Sequence, residues 1–213
     1  MIVTDAVERY LLALRTPPDP VLAEMERHGE REGIPIVVPE TGALLGVLAA
    51  ACGARRVVEV GTAIGVSTLH IARALPEGGC IVSFEVNEQR HLAARGYLDR
   101  ASVGDRADLR LQDAGEGLAT LEPGEFDMAF LDGLKGDYPR HLELALPLLR
   151  RGGVLAVDNT LLSGTVAEGR SDGHWGEDQI EQMRVFNAAL VARDGLVATV
   201  LPVGDGVLVG VLR

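Results

Sequence analysis

Short apolar runs rich in β-branched residues alternate along this chain with longer segments of helical periodicity. The run "RVVEVG" (56–61) reads as a buried strand, and "GVSTLHIARAL" (65–75) as a helix with its apolar face at Val66, Leu69, Ile71 and Leu75. "CIVSFEV" (80–86) is the next strand, followed by a polar helix around 88–101. "ADLRLQD" (107–113) alternates as a strand does, and "FDMAFLD" (126–132) is a fourth strand. A helix over 138–150, a fifth strand in "GGVLAVDN" (152–159) and a helix over 177–192 come next. The closing "LVATVLPVGDGVLVGVLR" (196–213) holds two strands around Asp205-Gly206. That pair is hairpin turn chemistry, so these strands should run antiparallel.

Strands that alternate with helices imply right-handed crossovers and an α/β fold: a mostly parallel sheet with helices on both faces. With the hairpin, the count is seven strands. Residues 1–50 read as two or three helices forming an N-terminal cap, broken at Pro17, Pro18 and Pro20, and 51–213 as the α/β core. No repeat or linker interrupts the pattern. The 213 residues, 47% of them hydrophobic, suit a single domain.

Charge and composition narrow the partners. A formal net charge of −11 disfavours a phosphate backbone, whose affinity comes largely from Lys and Arg. The N-terminus carries charges throughout and no apolar run approaches the ~20 residues that span a bilayer, so a cytoplasmic protein without a membrane segment is expected. Cys52 and Cys80 lack metal-ligand spacing and read as buried thiols.

Candidate chemistry gathers at the strand ends. "EVGTAIGVS" (59–67) turns from the first strand into a helix with Gly61 and Gly65, which let backbone approach a ligand where a helix N-terminus welcomes negative groups. It has neither the Gly-Lys ending of a phosphate-binding P-loop nor the third glycine of the dinucleotide fingerprint. Alone, such a pair is equally a tight turn that binds nothing. Glu85 ends the second strand, where an acid commonly accepts from ribose hydroxyls, and "QDAGE" (112–116) ends the third. Together they describe a nucleoside cradle. Asp132 ends the fourth strand and Asp158-Asn159 the fifth, on adjacent strands about 4.8 Å apart. These hard oxygen donors suit Mg²⁺, Mn²⁺ or Ca²⁺ and disfavour zinc. Of the 20 Lys and Arg residues, Lys135 is the only lysine. Arginine keeps its proton in a protein, whereas a partly desolvated lysine beside a divalent cation can lose it, which suits a general base.

With "VVEVGTAIGVSTL", "FDMAFLDGLKGDY", "LALPLLRRGGVLAVDNTLLSGTV" and "LPVGDG", the chain from about Val37 onwards resembles the cation-dependent O-methyltransferases, the catechol and caffeoyl-CoA O-methyltransferases among them. The resemblance implies a Rossmann-like class I methyltransferase fold, S-adenosylmethionine as methyl donor, a divalent cation (magnesium first, manganese or calcium as alternatives) and a homodimer. It carries Glu59, Gly61, Thr62 and Ser67 over to the methionine end and glycine loop, Glu85 to the ribose, Asp113 and Ala114 to the adenine, and Val37 to the pocket wall. It makes Asp132, Asp158 and Asn159 metal ligands, and Lys135, with Asp132, catalytic. Two departures stand out: Leu134 replaces the second acid of the family's Asp-Ala-Asp-Lys run, and Val66 replaces the usual aromatic residue.

The expected reaction is methyl transfer to a hydroxyl of a small vicinal-dihydroxy aromatic acceptor. A tRNA hydroxy-base methyltransferase of the same family, a non-catalytic nucleotide-binding protein and a nicotinamide dehydrogenase are the rivals. The Gly-rich stretch 160–179 is expected to border the acceptor pocket, with Trp175 either a stacking wall or a pin that holds the loop to the body. His174 reads as an exposed loop residue. His28, His70, His91 and His141 show no clustering and take no role.

Overall fold

The computed structural model describes residues 5–213; residues 1–4, the start of the expected N-terminal cap, lie outside the described residues. Three helices come first: α1 (Asp5–Ala13), α2 (Pro20–Glu32) and α3 (Pro39–Ala51). Asp19 caps α2 by accepting from the amides of Val21 and Leu22, Pro20 sits in its first turn, and Gly33 ends it in the left-handed region at φ 61°. α3 is apolar almost all round, burying Thr41, Gly42, Leu45 and Ala49 on one face while Ala43 and Val47 on the other are exposed.

The α/β body then follows as β1 (Arg56–Val60), α4 (Val66–Ala74), β2 (Cys80–Glu85), α5 (Glu88–Arg100), β3 (Ala107–Leu111), α6 (Ala114–Leu118), β4 (Phe126–Leu131), α7 (Tyr138–Ala145), β5 (Leu149–Val157), α8 (Thr165–Glu168), α9 (Glu177–Val191), β6 (Leu196–Leu201) and β7 (Val207–Leu212). One seven-stranded sheet has the order β3-β2-β1-β4-β5-β7-β6. β1 pairs in parallel with β2 and β4, and β7 runs antiparallel between β5 and β6. This is the class I methyltransferase arrangement expected from the sequence.

The two-residue period of the strands divides the core. Val58, Val60, Phe84 and Leu131 face α6, α7 and α9, whereas Val57, Ile81, Met128 and Phe130 face the layer containing α2 to α5. Each buried Val, Leu or Phe contributes about 1.5–3 kcal/mol. Three boundaries differ from the pattern reading. The helix from 138 stops at Ala145 and tightens into a 3-10 turn at Leu146–Leu148, because Pro147 has no amide to continue the ladder. β5 starts at Leu149, with a register shift against β4 between Phe126 and Met128. α6, five residues capped by Asp113, is too short to show a helical period. No helix among the described residues is long and apolar enough to cross a membrane.

Candidate active site

A cavity of about 330 Å³ opens at the carboxyl ends of β1, β2, β4 and β5. Gly61, Ala63, Glu85, Asp113, Ala114, Asp132, Lys135, Asp158 and Asn159 are all in its wall. The first loop depends on a glycine. Gly61 has φ 92°, and a Cβ there would lie 2.2 Å from the carbonyl oxygen of Asp132. The bare backbone lets the β1 and β4 loops touch, and that contact forms the floor of the cavity.

Glu85 takes three backbone amides. Its Oε2 accepts from Ala63 (2.8 Å), and its Oε1 from Val86 (2.9 Å) and Asn87 (2.8 Å). The carboxylate thus ties the loop after β1 to the loop after β2, with acceptor capacity left for hydroxyl groups. Asp113 caps α6 by accepting from the Glu116 amide at 3.0 Å and pairs loosely with Arg140 at 3.8 Å.

On the other side, the parallel ladder runs one residue past each strand. The Asp132 amide donates to Val60 O (2.9 Å) and the Asp158 amide to Leu131 O (3.1 Å), which brings both aspartates to one level. Asn159 adopts φ 53°, a conformation that asparagine tolerates. Its Nδ2 donates to Asp205 Oδ2 at 3.3 Å, and Asp205 also accepts from the Ser163 amide, so the hairpin turn orients the amide group. Lys135 Nζ donates to Asn159 Oδ1 (2.6 Å), Asp132 Oδ1 (3.1 Å) and Gly133 O (3.2 Å), and lies 5.2 Å from the centre of the Tyr138 ring. Tyr138 is fully buried beneath it and donates from its hydroxyl to Asp158 O at 3.0 Å.

This end of the cavity is short of positive charge. Asp158 is 4% exposed and its Oδ1 has no donor among the described residues. Burial first, then the neighbouring Asp132 carboxylate, pushes its pKa up to about 7. Burial also raises Asp132, against the opposing pull of Lys135. Among the described residues no three His, Cys, Asp or Glu side chains gather around a common point, so a cation here would be held by two carboxylates and one amide oxygen. That donor set fits a hard divalent ion. The Lys135 ammonium already sits as a stand-in cation on two of the three side chains, and the orphaned Asp158 oxygen is a ready third.

Four of the expected cofactor residues lie behind the wall rather than in it. Strand alternation turns Glu59 towards α4, where it is fully buried and its Oε2 accepts from Thr68 Oγ1 and Ser83 Oγ, each at 2.5 Å. Burial raises its pKa, against the hydroxyls of Ser67, Ser83 and Thr68. Glu59 therefore binds the first turn of α4 to β1 and β2. Thr62 is bonded to Ser83 at 2.5 Å, and Val37 is packed in the core while its neighbours Pro35 and Ile36 reach the cavity. Trp175 is half-buried against the core on the α9 side, with the exposed His174 against its edge, and neither lines the cavity. A larger space of about 770 Å³ between α7 and α9 shares only Lys135 with the first and holds none of the strand-end carboxylates.

Pattern reading passed over three residues: Tyr138, Asp205 and His141. The first two stand inside motifs that the resemblance rests on, directly after the lysine loop and in the hairpin turn. His141 occupies a core-facing position of α7, three residues beyond Tyr138, which is the one signal that could have singled it out.

Known proteins share this fold and much of this sequence. The O-methyltransferase family model matches residues 18–212. A catechol O-methyltransferase of Niastella koreensis is 32% identical over 202 residues, covering 92% of this chain and 90% of the relative. Caffeoyl-CoA O-methyltransferase 2 of Zea mays is 34% identical over 180 residues, 79% of this chain and 66% of that one. The crystal structure of an O-methyltransferase from Bacillus cereus in complex with SAH superposes with a TM-score of 0.83 at 30% identity, covering 98% of this chain and 97% of the other. The family match, the identities and the shared fold place the chain in the O-methyltransferase family that includes the catechol and caffeoyl-CoA enzymes.

Proposed function

We propose that this enzyme moves the methyl group of S-adenosylmethionine to a hydroxyl of a catechol-like acceptor, with a divalent cation held by Asp132, Asp158 and Asn159. The observation that carries the reading is the oxygen-only donor set, with Lys135 Nζ resting on two of its members and an Asp158 oxygen left without a donor. A bound divalent cation would supply Lewis acidity that favours the ionised form of a coordinated hydroxyl.

The chain's own groups do the rest. Gly61, Glu85, Asp113 and Ala114 hold the donor along one side of the cavity, while Asp132, Asp158 and Asn159 present the acceptor end. Lys135 Nζ is met by three acceptors, from Asp132, Asn159 and Gly133. Lys135 Nζ, within hydrogen-bond distance of Asp132 and Asn159, is placed to take the hydroxyl proton. The oxygen–methyl bond then forms as the sulfur–methyl bond breaks. Two adjacent hydroxyls suit such a site, because a single one cannot chelate. We further propose a homodimer in the cytoplasm, to be checked by light scattering and fractionation.

The test is transfer of labelled methyl from S-adenosylmethionine to a panel of catechols and matched monophenols, with Mg²⁺ and then with chelator. Transfer confined to the vicinal diols and abolished by chelation supports the reading. Undiminished transfer under chelation would remove the metal, and no transfer to any phenol would remove the acceptor class.

A further inference from the structure

Outside the residues used above, the described cavity wall contains one buried polar side chain without a hydrogen-bond partner. His141 is 5% exposed, on the face of α7 that also turns Tyr138, Leu142 and Ala145 inward. Both of its ring nitrogens lack a hydrogen-bond partner among the described residues. Buried polar atoms are nearly always paired, so an imidazole with two orphans at a cavity wall is suited to a partner that arrives from outside the chain.

The ring reaches the wall because residue 133 is glycine. A Cβ there would already be 3.6 Å from the imidazole Cε1 and Nδ1 and 3.1 Å from Val60 Cγ1, so any longer side chain would compete with the ring for this space. Gly133 and His141 share the cavity with Asp113 and Ala114 at the end of β3, the side opposite Asp158 and Asn159. Burial pushes the His141 pKa down, against the upward pull of Asp137 and Asp113, so at neutral pH the ring is uncharged. An uncharged imidazole offers one acceptor and one donor, and no carboxylate or cation could substitute for that pairing.

We propose that His141 is a recognition residue for the nucleobase of the methyl donor, one ring nitrogen accepting a hydrogen bond from the exocyclic amine of the adenine. The inference rests on the reading of Asp113 and Ala114 as the adenine end of the cavity. A site built around such a bond discriminates against a base that lacks the amine, because the mismatched base leaves the buried nitrogen unpaired.

The test compares binding of S-adenosylhomocysteine and its 6-deamino analogue by calorimetry, in the wild-type protein, His141→Phe and His141→Gln. The wild type should prefer the amine-bearing ligand by about tenfold. His141→Phe should bind both ligands at the weaker affinity, and His141→Gln, whose amide oxygen also accepts, should recover part of the preference. An equal preference in wild type and His141→Phe, or none in the wild type, overturns the assignment while leaving cofactor binding intact. Failure of the wild type to bind S-adenosylhomocysteine would overturn the donor reading itself. Should His141→Phe not fold, imidazole nitrogen-15 shifts in the wild type decide. A shift on titration with S-adenosylhomocysteine that the deamino analogue does not produce supports the bond, and identical shifts with both ligands refute it.

Discussion

The two ends of the cavity are built on the same sheet edge but in opposite electrostatic condition. At the β1–β2 end the single carboxylate, Glu85, is matched by three backbone amides and joins two loops. At the β4–β5 end Lys135 Nζ rests on Asp132 and Asn159 but not on the second carboxylate, and a buried Asp158 oxygen goes without a donor. The Glu85 carboxylate is held by the chain's own amides. The β4–β5 end lacks positive charge, and burial raises its aspartates instead of the protein supplying more cations. Preorganised backbone therefore shapes the proposed donor end, whereas the β4–β5 end keeps unfavourable electrostatics that a bound cation would relieve.

Substitutions at the two ends should break this contrast in different ways. The largest effect is expected for Lys135→Met, which should lower methyl transfer at neutral pH by about 10²–10⁴-fold while S-adenosylhomocysteine still binds. Turnover equal to wild type at saturating Mg²⁺ would exclude Lys135 as the base. Asp158→Asn should lower transfer by more than about 100-fold, yet stabilise the metal-free protein. The sign follows from the raised pKa: the folded carboxyl holds its proton to about pH 7, against an ordinary value of 3.8, so it costs stability as pH rises between the two. Asparagine removes that cost, a gain of about 1–3 kcal/mol at pH 8 in urea denaturation with chelator. A less stable variant would show that the reaction end is not electrostatically strained.

At the donor end the expected signs are uniform. Gly61→Ala should destabilise the protein by about 2–4 kcal/mol and weaken cofactor binding together, since the added methyl meets the Asp132 carbonyl at a φ that alanine rarely adopts. Unchanged stability would mean that the two loops can separate freely. The smallest effect concerns His70 of α4, packed against Gly42 of α3, whose pKa burial pushes down to about 4 from 6.5. Between those values the unfolded chain takes up the proton first, so stability falls as pH drops from 6.5 to 4 and is unaffected above 6.5. His70→Gln should remove about 1–3 kcal/mol of this acid sensitivity, read from urea midpoints across that pH range.

Much of the layout was legible before any coordinates. The central strands showed themselves as β-branched runs because helices cover both of their faces, and Asp132 and Asp158 stood at strand ends where a polar residue interrupts such a run. Boundaries set by a single residue were less visible: Pro147 shortens α7 by removing one amide, and α6 has only five residues. Glu59 illustrates a limit of motif reading. Its place in the glycine-loop motif suggested ligand contact, but the two-residue period of β1 sends it to the opposite face, where it secures α4. Trp175 takes the second of its two expected roles, pinning its loop to the α9 side of the core, and His174 is exposed as expected; the loop does not bring either to the cavity, because its direction depends on the packing at both of its ends.

Local order was written in the chain itself: which segments are strands, which are helices, and which residue types end them. Those features depend on periodicity and turn chemistry over a few residues, and they survive without tertiary contacts. The sequence also contained the oxygen-only set and the solitary Lys135. Only the tertiary structure decided that this lysine would lie on Asp132 and Asn159 together, that Asp205 would orient Asn159 from a turn 46 residues away, and that His141 would face a cavity without a partner. These relations join groups distant in sequence through strand order and helix docking, and no local pattern encodes which orphaned atoms such packing leaves behind.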